Sequence, residues 1–287
     1  MKKIFNETLI LRELERLMPA KTVLLLKNLS QATFPQKNRR AYRSLLFYIS
    51  AWIIFSDKLF ESKKISIAHL RFFSSYLNEQ LRNGFRVADP SVMCYSGMRW
   101  PYLLLKNIYA IINKSKANDK MLYLFKKAVR RFFQSMIKER EFSFEKPPHF
   151  DYYVKNGCQS IGSGPALYAL GALLFARTSL SSREFDIIKQ LVHRSSVILR
   201  LANDVGSRER EKKAKKINSL VILANRGIDF FSARRNVLER IFRHRRIITR
   251  YQQTSNHKLR PFIRSACRLL DFNIRLYLKS DYYDKNF

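Results

Sequence analysis

Glycine and proline are scarce in this chain, eight of each among 287 residues, which argues against the turn-dense pattern of a β-sandwich or barrel. Cysteine is scarcer still. Cys94, Cys158 and Cys267 stand far apart, without the paired spacing of a disulfide framework or a zinc site, and fit a reducing compartment. Membrane-spanning apolar runs are also missing: 45–55 (LLFYISAWIIF) and 166–176 (ALYALGALLFA) are too short to cross a bilayer. The opening MKKIFNETLILRELERL gains charge too early for a secretory signal. The expectation is a soluble, cytoplasmic protein without stable membrane insertion.

Acidic residues are the fourth shortage, with 22 Asp and Glu against 55 Lys and Arg and a net charge of +33. Such a balance implies an anionic partner, whether nucleic acid, a phosphorylated metabolite or a membrane surface. The basic residues are spread through most of the chain rather than gathered in one arm. No recognisable nucleic-acid recognition motif accompanies them, so nucleic acid is not the expected partner.

Apolar residues, by contrast, are plentiful at 46%, enough for a substantial core. Helical periodicity runs through 6–29, 40–61, 64–83, 100–114, 119–140, 150–176, 183–214, 217–225, 228–252 and 258–280, with short breaks between. Neither a linker nor a repeat divides the chain. Residues 1–287 are therefore expected to form one all-α domain of about ten helices. The segments 44–56 and 161–176 are apolar on nearly every side, which places them at a bundle centre or against an apolar cavity. The second opens at Ile161-Gly162-Ser163-Gly164-Pro165, where two glycines and a proline should interrupt the hydrogen-bond ladder.

The chemistry concentrates in RLANDVGSRERE, residues 200–211. On a helix Asn203, Ser207 and Glu211 stand at i, i+4 and i+8, and each step of four turns about 40° past a full circle, so the three share one stripe. Three oxygen donors suit a hard cation, but one carboxylate among them would hold Mg²⁺ weakly unless phosphate oxygens completed the coordination. The implied ligand is a magnesium-bound phosphate ester. Without such a ligand the same residues would be the solvated face of a basic helix. A second acidic pair, Asp57 and Glu61, sits at i, i+4 where the first apolar helix ends; like charges so placed repel unless a cation lies between them.

Together the two motifs resemble those of the class I terpene synthases, in which an Asp-Asp-x-x-Asp/Glu motif faces an Asn-Asp-x-x-Ser-x-x-x-Glu motif across a cavity. The second motif is matched in full at Asn203, Asp204, Ser207 and Glu211. The first is degenerate: Asp57 and Glu61 match, but Lys58 replaces the second aspartate. Two further segments resemble those of kaurene-synthase-like diterpene synthases: 212–220 (KKAKKINSL), and 156–165 (NGCQSIGSGP), which falls at the helix break.

The resemblance implies a bundle around a central apolar cavity, and three Mg²⁺ ions held by Asp57, Glu61, Asn203, Ser207 and Glu211. It also implies a prenyl diphosphate gripped by Arg200, Arg210, Lys216, Arg275 and Tyr282. Candidates for the wall around a carbocation are Tyr48, Trp52, Phe55 and Phe60, with Ser160, Ile161 and Gly162 at the break. Relatives are often homodimers. Bacterial members often carry a diphosphate-sensing arginine before the break, where this chain has Gly157, Cys158 and Gln159; Lys155 is the candidate substitute.

The expected activity is ionisation and cyclisation of a C20 prenyl diphosphate, geranylgeranyl or copalyl-type. Alternatives are a sesquiterpene synthase using farnesyl diphosphate, a degenerate homologue that binds diphosphate without turnover, and a basic helical nucleic-acid-binding protein.

Overall fold

A computed structural model describes residues 7–17, 39–85 and 96–279. Among them twelve helices form and no strand: α1 (Glu7–Leu17), α2 (Arg39–Glu61), α3 (Ile67–Asn83), α4 (Ser96–Lys114), α5 (Asp119–Arg140), α6 (Phe150–Ser160), α7 (Ser163–Leu174), α8 (Ser182–Gly206), α9 (Arg208–Lys213), α10 (Ser219–Ala224), α11 (Phe230–Thr254) and α12 (Arg260–Lys279). The all-α expectation holds. No helix among the described residues is long and apolar enough to cross a membrane.

Side-chain caps fix several starts. Ser181 and Glu184 form a reciprocal capping box at α8, with Glu184 N donating to Ser181 Oγ at 3.2 Å and Ser181 N to Glu184 Oε2 at 2.7 Å. Each satisfies an amide that the helix itself leaves orphaned. Asn118 does the same for α5, Asn218 for α10 and Asp229 for α11.

The charge-free α7 lies at the centre, packed against α2, α4, α5, α6, α8 and α12. A helix surrounded on all sides has no use for a polar face. The outer wall behind α2 is aromatic: the Trp52 ring lies 4.7 Å from Phe132 and 5.6 Å from Phe133, and Phe60 stacks on Phe133 at 5.4 Å. Burying rings of this size supplies much of the core's apolar area.

Two helix interruptions lie next to the polar residues of the motifs. Between α6 and α7, Gly162 adopts a left-handed φ of 78°, and a Cβ there would stand 2.7 Å from the Ile53 side chain. Only glycine meets both demands, so the interruption expected at 161–165 is present. The helix expected to run unbroken over 183–214 is in fact two, α8 and α9, with Ser207 between them at φ −90° and ψ 2°. The bonds from Ser207 N to Asn203 O (2.8 Å) and from Glu211 N to Ser207 O (2.9 Å) persist across the joint. It is a tightened turn at a weak helix-forming Gly-Ser pair rather than a change of course.

Candidate functional site

A cavity of about 520 Å³ opens among α2, α5, the α6–α7 break, α8, α9 and α12. From α2 it takes Leu46, Ile49, Ile53, Ile54, Asp57 and Glu61, all within about 80° of Asp57 around the helix and so on one face. That register turns Tyr48, Trp52 and Phe55 away from the cavity, correcting their expected place on its wall. Trp52 and Phe55 are buried behind it, Phe55 stacked on Trp100 at 5.3 Å, and Tyr48 packs beside Phe47. Phe60 does line the cavity, with Phe142 from the segment after α5.

Asp57 lies among like charges. Burial, then Glu61 and Glu139, raise its pKa well above the usual carboxylate range, and Arg200 and Lys58 only partly oppose this. Glu61 accepts an ion pair from Lys216 Nζ at 2.7 Å. Lys58, the departure from the acidic motif, is half-buried and lies off the lining.

From α8 the cavity takes Ser195, Leu199 and Asn203, again one stripe, and beside them Arg200. Ser195 is buried, and its hydroxyl has no hydrogen-bond partner among the described residues. Arg200 is the hub of the buried polar groups. Its guanidinium pairs with Glu139 Oε1 at 3.3 Å and Asp204 Oδ1 at 3.2 Å, donates to the Tyr153 hydroxyl, and lies over the Tyr153 ring at 4.7 Å. Burial works against its charge, but Glu139, Tyr153, Asp204 and Glu211 more than offset this and hold its pKa above the usual value. Its stem passes so close to Gly157 that a Cβ there would stand 2.7 to 2.8 Å from Arg200 Nε, Cδ and Cγ. The stretch without the sensor arginine is thus filled by Arg200 reaching across from α8. Lys155, the candidate substitute, is exposed and off the cavity.

Asp204, fully buried, braces the loop that comes after α9. It accepts from the Tyr153 hydroxyl at 3.0 Å and from Ser219 N at 3.2 Å. Asn218 Nδ2 stands 2.7 Å from Asp204 O and 2.6 Å from Glu211 Oε2, donating to both. This gives the Ile217-Asn218-Ser219 segment a physical role: it holds Glu211 at the cavity edge. Burial and the Asp204 carboxyl raise the pKa of Glu211.

Ser207 departs from the expected ligand stripe. It is buried, it does not line the cavity, and its hydroxyl donates to Asn203 O at 2.7 Å. Of the residues implied for diphosphate, Arg210 and Lys216 line the cavity; Arg275 is exposed and does not, and Tyr282 lies outside the described residues. From α12 the lining comes instead from Asn273 and Tyr277, beside the apolar Ala266, Leu269 and Leu270. At the break, Ser160 and Ile161 line the cavity while Gly162 sits behind them against Ile53. Burial pushes the Cys158 thiol up to about 12, too high for a thiolate nucleophile near neutral pH.

Sequence reasoning missed Glu139 and Arg140. Glu139 Oε1 accepts from Ser160 Oγ at 2.6 Å, tying α5 to the break. Arg140 Nη1 donates to the carbonyls of Ser62 and Ile65 at 2.9 and 3.0 Å. In Lys138-Glu139-Arg140-Glu141 both read as the charged end of a helix, and no spacing marks them out.

Gly206 carries α12 across this end of the cavity. A Cβ at that position would fall 1.9 Å from the Tyr277 carbonyl oxygen, backbone that cannot step aside as a side chain could. Gly206→Ala, which at an unencumbered helix end would stabilise slightly, is expected to destabilise by about 1 to 3 kcal/mol. Thermal melts and amide exchange over 260–279 read this out; an unchanged melting temperature with unchanged exchange would contradict the packing.

The family model described as terpene synthase family 2, C-terminal metal binding, matches residues 48–246. No curated protein matches the chain in sequence. Among solved structures, isoprene synthase from grey poplar leaves (Populus x canescens), in complex with three Mg²⁺ ions and dimethylallyl-S-thiolodiphosphate, superposes with a TM-score of 0.68 at 18% identity, over 94% of this chain and 54% of that one. Abietadiene synthase from Abies grandis gives 0.67 at 16%, over 97% and 40%. Linalool/nerolidol synthase from Streptomyces clavuligerus, in complex with 2-fluorogeranyl diphosphate, gives 0.66 at 10%, over 96% and 94%. The chain spans about half the length of the poplar enzyme; at these identities the likeness is one of fold.

Proposed function

Because the chain belongs to the terpene synthase family, its matched part being the metal-binding region, we propose that it ionises a prenyl diphosphate in this cavity and steers the carbocation to a cyclic or rearranged product. The observation that carries the reading is the shared lining: Asp57 and Glu61 from α2, and Asn203 and Glu211 from α8 and α9, border one cavity, with Arg200, Arg210 and Lys216 beside them and an apolar wall of Leu46, Ile49, Leu199 and Leu270.

The donors fit Mg²⁺. All four offer oxygen, the choice of a hard cation. Among the described residues no three His, Cys, Asp or Glu side chains gather as a ready-made metal site, which suits cations held jointly with diphosphate oxygens. Asp57, half-buried beside Glu61 and Glu139, has negative neighbours whose repulsion a divalent cation would relieve. Asp57, Glu61, Asn203 and Glu211 would hold the ions, three by the family resemblance, with Ser207 needing its hydroxyl released from Asn203 O to join them. Bound Mg²⁺ supplies electrostatic stabilisation of the departing diphosphate.

The chain's own groups supply the rest. Arg200, Arg210 and Lys216 stand on the acidic side of the cavity and neutralise negative charge that grows on the diphosphate as the allylic carbon–oxygen bond breaks and its electron pair leaves with oxygen. Leu46, Ile49, Ile54, Leu167, Leu199 and Leu270 exclude water from the carbocation, and the π-faces of Phe60 and Phe142 tolerate its charge.

A C20 substrate is the reading for chain length, supported by the segments 156–165 and 212–220 that resemble those of diterpene synthases. The cavity falls within the roughly 300 to 1,000 Å³ of ordinary ligand sites. The test is a comparison of kcat/KM for geranyl, farnesyl, geranylgeranyl and copalyl-type diphosphates. A C20 preference of about tenfold or more is expected, worth about 1.4 kcal/mol of transition-state binding; a farnesyl preference would overturn the chain length, and diphosphate binding without turnover would assign a degenerate homologue.

A further inference from the structure

The cavity does not account for the charge of +33, and on α11 part of that charge is set among exposed aromatic rings. α11 carries seven arginines and a single glutamate. Two of the arginines turn toward the protein: Arg240 pairs with Asp151 at 2.9 Å and Arg245 with Asp271 at 2.7 Å. Arg234, Arg235, Arg243, Arg246 and Arg250 are exposed. Among them stand Phe231, 81% exposed, and Phe242, 63% exposed.

The arrangement is a face rather than scatter. At 100° per residue, Phe231, Arg235, Phe242 and Arg246 fall within about 60° of one another, Arg250 and Arg243 continue the face on one side and Arg234 borders it on the other, and Glu239 is the one acidic group within it. Ala233, Val237, Ile241 and Ile248 take the opposite side and are buried in the bundle. α11 therefore has a second side where aromatic rings project between guanidinium groups. The two rings stand about 16 Å apart along the helix, so the face is defined by aromatic rings set among arginines rather than by a continuous apolar patch.

We propose that this face of α11 docks the protein on an anionic lipid surface, the arginines engaging lipid phosphates and the two phenylalanine rings entering the interfacial region. A second copy of this chain is the wrong occupant, because self-pairing would set arginine against arginine. Lipid phosphates complement the guanidinium groups, and the acyl boundary accepts the rings, a combination that interfacial helices use. The docked end is near the cavity: the Arg208 guanidinium, on the segment carrying Asn203 and Glu211, lies 3.8 Å over the ring of Phe230 in the first turn of α11. This is surface attachment without insertion, and it does not depend on the reading of the cavity.

The test sediments the full chain with vesicles of phosphatidylcholine, alone or with about one third phosphatidylglycerol. The anionic vesicles should retain the protein in about 0.1 M salt and the neutral ones should not; about 0.5 M salt should lower the bound fraction about tenfold. Arg235→Glu with Arg246→Glu, and separately Phe231→Ala with Phe242→Ala, should each lower it about tenfold, with circular dichroism showing unchanged helix content. No binding to anionic vesicles, or binding unmoved by either pair of substitutions, would overturn the assignment. Capture by single-stranded RNA without capture by vesicles would overturn it too, in favour of nucleic acid.

Discussion

Asp57→Asn is expected to lower product formation about 100- to 1,000-fold while leaving the helical fold and melting temperature nearly unchanged. The asparagine keeps the size of the side chain and one oxygen, and removes the negative charge. Asp57 is half-buried beside Glu61 and Glu139, and its raised pKa means that in the resting protein its negative charge is a cost rather than a support. Its removal should not weaken the bundle. The loss falls on metal binding, where a neutral amide is a poorer ligand than a carboxylate. Lys58→Ala is the matched control, one residue along and off the cavity lining. It should hold turnover within about threefold, or about 0.7 kcal/mol. Product assays of both variants beside unfolding curves check the pair; full activity in Asp57→Asn would remove the metal role of α2.

Arg200→Leu should damage both activity and stability. The guanidinium is paired with Glu139 and Asp204 and bound to Tyr153; a leucine leaves the fully buried Asp204 and the half-buried Glu139 without their counter-charge. Breaking one side of such a buried pair costs about 3 to 5 kcal/mol, and denaturant unfolding should show it as an earlier midpoint. The cost should shrink at low pH, where protonation neutralises the abandoned carboxylates. Activity should fall about 100-fold or more as the leaving group loses its cation. Arg200→Lys separates the two effects: one ammonium keeps the charge but not the several-pronged contact, so stability should recover more than turnover. An unfolding midpoint unmoved in Arg200→Leu would show that the network is not coupled to the fold.

The sequence made the helical architecture legible because apolar spacing, polar breaks and an uncharged central segment all pointed the same way. Helical arithmetic also put Asp57 with Glu61 and Asn203 with Glu211 on shared stripes, whereas Arg200, Arg210 and Lys216 came from the family resemblance; all seven lie on the cavity lining. The same arithmetic, carried backward from Asp57, would have excluded Tyr48, Trp52 and Phe55; composition favoured them as aromatic neighbours, but register turns them into the core. Ser207 was on the right stripe, yet a hydroxyl so close to its own helix finds the Asn203 carbonyl first. Glu139 was not legible, since it meets Ser160 and Arg200 only through tertiary packing. Gly157 read as the loss of a sensor, and the structure shows it as the space that Arg200 requires.

Ionisation of a prenyl diphosphate with Mg²⁺ in this cavity can be put to one decisive assay. The purified protein is incubated with geranylgeranyl diphosphate and Mg²⁺, with and without EDTA, and the hexane extract is analysed by gas chromatography with mass detection, using Asp57→Asn as the paired control. The expected result is a cyclic hydrocarbon or alcohol from the intact protein that disappears with EDTA and falls away in the variant. A product that forms equally in EDTA, or equally in Asp57→Asn, would contradict metal-dependent ionisation at this site.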